Sequence, residues 1–246
     1  MQKNIEKLQK EFKKIKEKGY IKGICNDFSA IGRTFESELN LPENTFSIPD
    51  YHGIEIKTRR SYSKSYITLF TAVPDGEELF EIERLKETYG WPYKKDRNYK
   101  VLYLEAYGNK LNFAGIKYQY KIDVLRSERK VYLKVYNKYN ELIERKIYWS
   151  FDYLNEKLTT KLQYLAVVKA WPNKIDGWNY FKYYKMDIYK LKDFDTFINL
   201  IEDGTIKLTI KIDIHLNKKY YGKTYDHGCG FAIEEHNLSK LYNIIN

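Results

Sequence analysis

Between Thr205 and Asn217 the chain reads TIKLTIKIDIHLN, with an aliphatic residue at every second position from Ile206 to Leu216. A helix would scatter those side chains around its axis; a strand lines them up on one face. The stretch therefore predicts one strand of a sheet with a buried side. The same period recurs from Tyr99 to Trp149 in YKVLYLEAYG, YQYKIDVLRSERKVYLKVYN and LIERKIYW, separated by Gly, Asn and Ser, so this part is β-rich.

The rest alternates between helical and strand patterns. Ile5, Leu8, Phe12 and Ile15 fall at helical spacing with Gly19 as the cap, which predicts an amphipathic helix over Lys3 to Lys18 with lysines on its wet face. Ser29 to Leu39 reads as a second helix that LPEN terminates, because Pro42 cannot continue the backbone pattern. HGIEIKTRR and SYITLFTAV read as two strands joined by a polar turn at residues 60–65, and EELFEIERLKETYG as a helix closing on Gly90. Leu154 to Leu162 is helical and leads into a strand, LQYLAVVKAW; Asp193 to Glu202 is helical, and a last helix starts near Asn237. The expected class is α+β, a mixed sheet flanked by helices plus a β-rich portion.

With 246 residues, 43% hydrophobic, 17% aromatic and only 5 prolines, the chain can bury a core and is most simply one domain, with room for two lobes. A net charge of +10 and a pI near 9.2 suit a polyanionic partner, and equally a soluble protein that happens to be basic. Two cysteines, Cys25 and Cys229, make no disulfide framework and point to a reducing compartment. The opening MQKNIEKLQKEFKK is charged throughout, unlike a signal peptide, and the apolar run YLAVVKAW is short and broken by Lys169. A cytoplasmic protein with no membrane contact is the expectation.

The chemistry concentrates in IPDYHGIEIKT, Ile48 to Thr58. On a strand, Glu55 and Lys57 project from one face while Ile54 and Ile56 bury the other. Asp50 sits just before it, where Pro49 and Gly53 mark a change of direction. Two carboxylates brought together repel unless a cation lies between them, and Mg²⁺ is the natural one because it prefers oxygen ligands. The backbone carbonyl of Ile56 can supply a third ligand. Lys57 can then orient an attacking water and offset charge on a phosphate. By itself the spacing also fits a solvent-facing strand edge with a Glu–Lys pair. Its context adds Glu36 on the preceding helix and a basic cluster, Lys57, Arg59, Arg60 and Lys64, where a DNA backbone would lie.

The stretch GRTFESEL…LPEN…IPDYHGIEIKTRR resembles the active-site segment of the MvaI/BcnI restriction endonucleases, which are related to the MutH nicking enzyme within the PD-(D/E)xK nuclease superfamily. Gly32 and Glu36 match the family's helix; Asp50, Glu55 and Lys57 match its motif. YGKTYDHGCGFAI, Tyr221 to Ile233, resembles the family's Asp-His-Gly segment through Asp226, His227 and Gly228, in the part that reads bases. The resemblance spans most of the chain. It implies a PD-(D/E)xK, MutH-like core and a β-rich DNA-recognition lobe in a monomer, the catalytic lobe over about 1–95 and 147–190 and the recognition lobe over about 96–146 and 191–246. It further implies a type II restriction endonuclease that hydrolyses double-stranded DNA at a short specific site with Mg²⁺ (Mn²⁺ substituting), leaving 5′-phosphate and 3′-hydroxyl ends, in a prokaryotic cytoplasm beside a companion methyltransferase. The implied catalytic residues are Asp50, Glu55, Lys57 and Glu36, with Asp50, Glu55 and Ile56 on the metal. The alternatives are a MutH-like nicking enzyme and a non-catalytic DNA-binding protein on a degenerate nuclease fold.

For DNA binding the candidates are Arg59, Arg60, Lys64, His215, Lys223, Asp226 and His227. One departure concerns guanine, which the family's arginines are expected to read as donor forks. No arginine follows Arg145, and Ala232 stands where one is expected. Lys211, Lys218, Lys219 and Lys223, or Arg126 and Arg129, would have to serve. His52 reads as a turn residue, Cys229 lacks the partners for a zinc site, and the aromatic WNYFKYYKMDIYK reads as a partly buried surface. Lys169, on the LAVVKA strand, is a further candidate for a place near the active centre.

Overall fold

The computed structural model describes residues 1–41, 48–75 and 78–245; Pro42 to Asn44, expected to end the second helix, lie outside them. In chain order the elements begin with α1 (Gln2–Glu17), β1 (Tyr20–Lys22), α2 (Ala30–Glu38), β2 (Glu55–Arg60), β3 (Ile67–Thr71), α3 (Glu78–Tyr89) and β4 (Trp91–Pro92). Next come β5 (Lys100–Ala106), β6 (Asn112–Ala114), β7 (Tyr118–Leu125), β8 (Lys130–Asn137), β9 (Leu142–Ser150), α4 (Phe151–Leu162), β10 (Tyr164–Ile175) and β11 (Trp178–Leu191). The last are α5 (Phe194–Glu202), β12 (Ile206–Ile214), β13 (Thr224–Asp226), β14 (Gly230–Ile233), α6 (Leu238–Leu241) and β15 (Tyr242–Ile244). The class is mixed α+β, as expected from the two periodicities.

Two compact units divide the chain, residues 1–65, 158–192 and 242–246 in the first and 66–157 and 193–241 in the second. Residues 66–95 and 147–157, expected with the first lobe, group with the second. The first unit holds a five-stranded sheet ordered β1-β11-β10-β2, with β15 on β11. Only the β10–β2 pair is parallel, so the sheet is mixed. Ile5, Leu8 and Ile15 of α1 and Ile31 and Phe35 of α2 cover one face, packed with Ile54, Ile56, Ala166, Val168 and Tyr183. Each aliphatic or aromatic side chain buried this completely contributes roughly 2 kcal/mol. Helix α1 ends where Gly19 turns left-handed, φ +73°, one residue beyond its cap.

The second unit contains a six-stranded sheet, β3-β14-β12-β5-β4 with β13 on β12, and a four-stranded antiparallel meander, β6-β7-β8-β9. The two strands expected on either side of residues 60–65 thus belong to different sheets, β2 to the first and β3 to the second. Strand β12 is where alternation misleads. Its first five residues, Ile206 to Ile210, are all buried, so both faces of the strand are covered there, while β5 and β14 pair along its two edges. Lys207 tolerates this by pairing with Glu105 and lying 3.5 Å over the Tyr66 ring. The expected last helix is only a 3-10 turn and the single turn α6, after which β15 returns the chain to the first sheet. Among the described residues, no helix is long and apolar enough to cross a membrane.

Candidate active site

His52 and Gly53 both adopt positive φ, 45° and 91°. Successive left-handed residues make the tight turn that matches strand twist, and glycine is its preferred second residue. Tyr51 and Ile54 close it with reciprocal N–H to carbonyl bonds of 2.9 Å. The turn folds Asp50 back beside the start of β2, where its Oδ2 accepts the Ile56 N–H at 2.9 Å. His52 is a turn residue, as its sequence position suggested.

On β2 the alternation holds locally. Ile54 and Ile56 enter the core, and Glu55 and Lys57 share the other face, with Lys57 Nζ donating to Glu55 Oε1 at 2.5 Å. Parallel pairing with β10 places Leu165 beside Glu55 and Val167 beside Lys57, so both charged residues stand on a covered sheet. Glu55 is only 1% exposed. Lys161, which the sequence did not single out, comes from α4 to within 3.5 Å of the same Oε1. Its signal was weak: one of two lysines on its helix, Lys157 being the other. Lys169 lies beside Arg59, two residues beyond Val167 on the Glu55 face.

Burial lifts the Glu55 carboxyl above its ordinary value; the Lys57 ammonium opposes that shift and Asp50 adds to it. Its second oxygen, Oε2, is buried without a hydrogen-bond partner. A half-satisfied buried carboxylate beside a second acid is a donor set for a hard cation. Among the described residues no three His, Cys, Asp or Glu side chains cluster as they would for zinc. Two carboxylates and a backbone carbonyl suit Mg²⁺, which keeps several waters of its own.

Gly32 packs α2 against β2 on the opposite face. A methyl group there would meet Thr58 Oγ1 at 3.3 Å and Glu36 Oε1 at 3.8 Å. Glu36 and Thr58 thus both lie next to Gly32, and Thr58 is on the Ile56 side of the strand. Arg59 is buried and turned onto the following turn, donating to Ser65 O at 2.6 Å and Ser63 O at 3.3 Å. Arg60 lines an open groove with Phe28, Tyr62, Pro172 and Lys174, and Lys64 is exposed.

In the second unit, His215, Lys223, Asp226 and His227 come together along β12 and β13. Asp226 serves the loop itself: its Oδ1 accepts the Gly228 and Cys229 N–H groups at 2.8 and 2.9 Å. Gly228 follows at φ +100°, a conformation that other residues resist. Burial, with Asp226 adjacent, pushes the Cys229 thiol up. His227 is left exposed, its Nε2 3.4 Å from Asp213 Oδ2, which also accepts the Tyr103 hydroxyl. His215, Tyr225 and His227 form a ring row with centroid spacings of 4.6 and 4.4 Å, and Lys223 lies over Tyr220. Tyr103, Asp213 and Tyr225 were not anticipated, because only strand pairing brings them together. Ala232 is buried on β14 between Thr68 and Lys207. Arg126 is paired with Glu202 and Arg129 with Asp152.

Residues 9–242 match the model of the MvaI/BcnI restriction endonuclease family. No curated protein matches. Among solved structures, the chain is similar to one described as "Restriction endonuclease MvaI-cognate DNA substrate complex", with 30% identity, TM-score 0.91, and coverage of 100% of this chain and 98% of the other. It is also similar to "Restriction endonuclease MvaI in the absence of DNA", at the same identity and coverage with TM-score 0.64.

Proposed function

Because this chain belongs to the MvaI/BcnI restriction endonuclease family, we propose that it is a type II enzyme, a monomer that hydrolyses double-stranded DNA at a short specific site with Mg²⁺. The observation that carries this reading is Glu55, a buried carboxylate with one oxygen unpartnered, held beside Asp50 and Lys57 in the family's motif. Likeness to a solved complex of MvaI with its cognate DNA supports duplex DNA as the substrate. A companion methyltransferase would protect the host's own sites.

Asp50, Glu55 and the Ile56 carbonyl would hold the Mg²⁺, which supplies charge neutralisation at the scissile phosphate. Asp50 is aimed by its bond to the Ile56 N–H, and Glu55 is fixed by burial. Lys57 exchanges its bond to Glu55 for the attacking water and an oxygen of the phosphate, offsetting the charge that builds during attack. Lys161 keeps a positive charge on Glu55 Oε1 as Lys57 moves. Water oxygen bonds to phosphorus as the bond to the 3′ oxygen breaks, giving 5′-phosphate and 3′-hydroxyl ends. Glu36 supports the strand from α2. Arg60 and Lys64 contact the DNA backbone, Arg59 shapes the turn that presents them, and Asp226 shapes the loop that presents His227; His215, His227 and Lys223 face base edges.

Incubating the purified protein with plasmid and Mg²⁺ tests this. Discrete fragments are expected. Nicked circles alone would indicate a single-strand nicking enzyme, and intact plasmid a DNA-binding protein without catalysis. Asp50→Ala should leave the plasmid intact; if it cuts like the wild type, the site assignment is wrong.

A further inference from the structure

The two faces of the first sheet differ sharply. Helices α1 and α2 cover the Ile54 and Ile56 face, where Phe181 and Tyr183 of β11 are buried. On the Glu55 and Lys57 face, β10 sets Val167 beside Lys57 and then, four residues on, Trp171. Alternation keeps Trp171 on that same face, about 13 Å further along the strand. Across from it on β11 stands Lys182, which in turn pairs with Tyr20 on β1. Trp171, Tyr20 and nearby Trp178 are 44%, 46% and 37% exposed, although the wet face of a sheet is ordinarily polar.

These rings are held in place as well as exposed. The β10–β11 register shifts between Lys169 and Ala170, leaving Tyr184 as an extra residue on β11. A bulge of this kind re-aims the side chain it carries. The Tyr184 ring lies stacked on Trp171, with centroids 4.4 Å apart and planes 14° from parallel. Lys182 Nζ stands 5.7 Å from the Trp171 ring, and Lys22 Nζ 5.2 Å from the Trp178 ring. The Trp178 indole is fixed by donating to the Gly23 carbonyl at 2.7 Å. Asp187, an acid on the same face, is already paired with Lys185 at 2.7 Å.

Lysines interleaved with aromatic rings suit a partner that alternates anionic groups with flat apolar ones, the make-up of a nucleic-acid strand. The same face carries Lys57, so a duplex laid across the motif and along β10 passes over Trp171 about four base steps further on. We propose that the outer ends of β1, β10 and β11 form a platform for the DNA that flanks the cut site. Lys22 and Lys182 take phosphates, and the Trp171–Tyr184 stack packs against the sugars between them. This rests on the reading of Glu55 and Lys57 as a nuclease centre acting on duplex DNA. The platform reads no bases; it makes affinity depend on how far the duplex extends past the site on one side.

Two binding measurements made without Mg²⁺, so that nothing is cut, test this. The first compares a long duplex carrying the cut site mapped from sequenced ends with two shortened duplexes that end just outside the site on one side or the other. Wild type is expected to bind one shortened form about tenfold more weakly than the long duplex. Trp171→Ala should bind the two about equally, with a melting temperature close to wild type. The second is the slope of log affinity against log salt on a duplex of arbitrary sequence, which needs no mapped site. Lys22→Ala and Lys182→Ala should each reduce that slope by about 1. Wild-type binding indifferent to the flank, a flank preference that survives Trp171→Ala, or an unchanged salt slope would each overturn the proposal. So would self-association that Trp171→Ala abolishes while DNA affinity holds, which would assign the face to a second copy of the chain. If the protein binds duplex DNA but cuts none, the nuclease reading has failed and the salt slopes still decide the platform; no binding at all overturns both.

Discussion

Glu55 concentrates the conflict on which the proposed chemistry runs. Its folded-state carboxyl is raised above the ordinary 4.5, chiefly by burial. A raised group stabilises the fold at acid pH, and that contribution is lost as pH rises through the raised value. The metal-free protein should therefore gain stability when Glu55→Gln removes the charge. At pH 7 the melting temperature of this variant is expected to rise by a few degrees without Mg²⁺ and not to respond to the ion, whereas wild type responds. Since Mg²⁺ needs the ionised carboxylate, its apparent affinity should fall as pH drops through a range higher than an ordinary glutamate would set; titrations of the melting shift between pH 4 and 8 check the sign. Lys57→Ala should fold normally, as a partly exposed residue, and lose about 100-fold or more in cleavage rate. The motif was legible in the sequence because Asp50, Glu55 and Lys57 are joined by one turn and one strand. Lys161 was not, because only the packing of α4 brings it to Glu55.

At the scale of elements, local periodicity served well wherever one face of an element stays wet, as along α1 and at Glu55 and Lys57 of β2. It misled at β12, where Lys207 and Thr209 occupy the expected wet face yet are buried, Lys207 against Glu105 and Tyr66 and Thr209 donating to the Gly230 carbonyl. The brief strands β1, β4, β6 and β13, two or three residues each, carry no period to detect. The loop after β13 depends on Asp226 accepting two backbone N–H groups and on Gly228 at φ +100°. Asp226→Ala should leave two donors without their partner, cost roughly 1–3 kcal/mol, and weaken specific DNA binding by displacing His227. Thermal melting reads the first effect and a binding titration the second. If binding weakens with no loss of stability, Asp226 touches the DNA itself. Val168, buried at the centre of the parallel pair, gives the structural contrast: Val168→Asp should prevent folding rather than select against catalysis.

For the whole molecule, a net charge of +10 sets the expected response to salt. Affinity for duplex DNA should fall linearly on a log–log plot against salt, and losing Arg60 or Lys64 should each reduce that slope by about 1 without changing sequence preference. A slope untouched by both substitutions would move the DNA path away from the end of β2. Arg126 and Arg129, candidates for reading guanine, are drawn into ion pairs with Glu202 and Asp152, and Ala232 is packed inside its strand. Under the proposed function, the exposed lysines and histidines of the β12–β13 edge are therefore the first candidates to set the target. The most direct test of the central claim, a metal-dependent hydrolytic centre at Asp50, Glu55 and Lys57, is sequencing of the DNA ends made by the wild-type protein with Mg²⁺. The account predicts cuts confined to one short sequence, every end carrying a 5′-phosphate and a 3′-hydroxyl, and none from Lys57→Ala at matched enzyme and time. Scattered ends, 3′-phosphates, or the same ends from Lys57→Ala would contradict it.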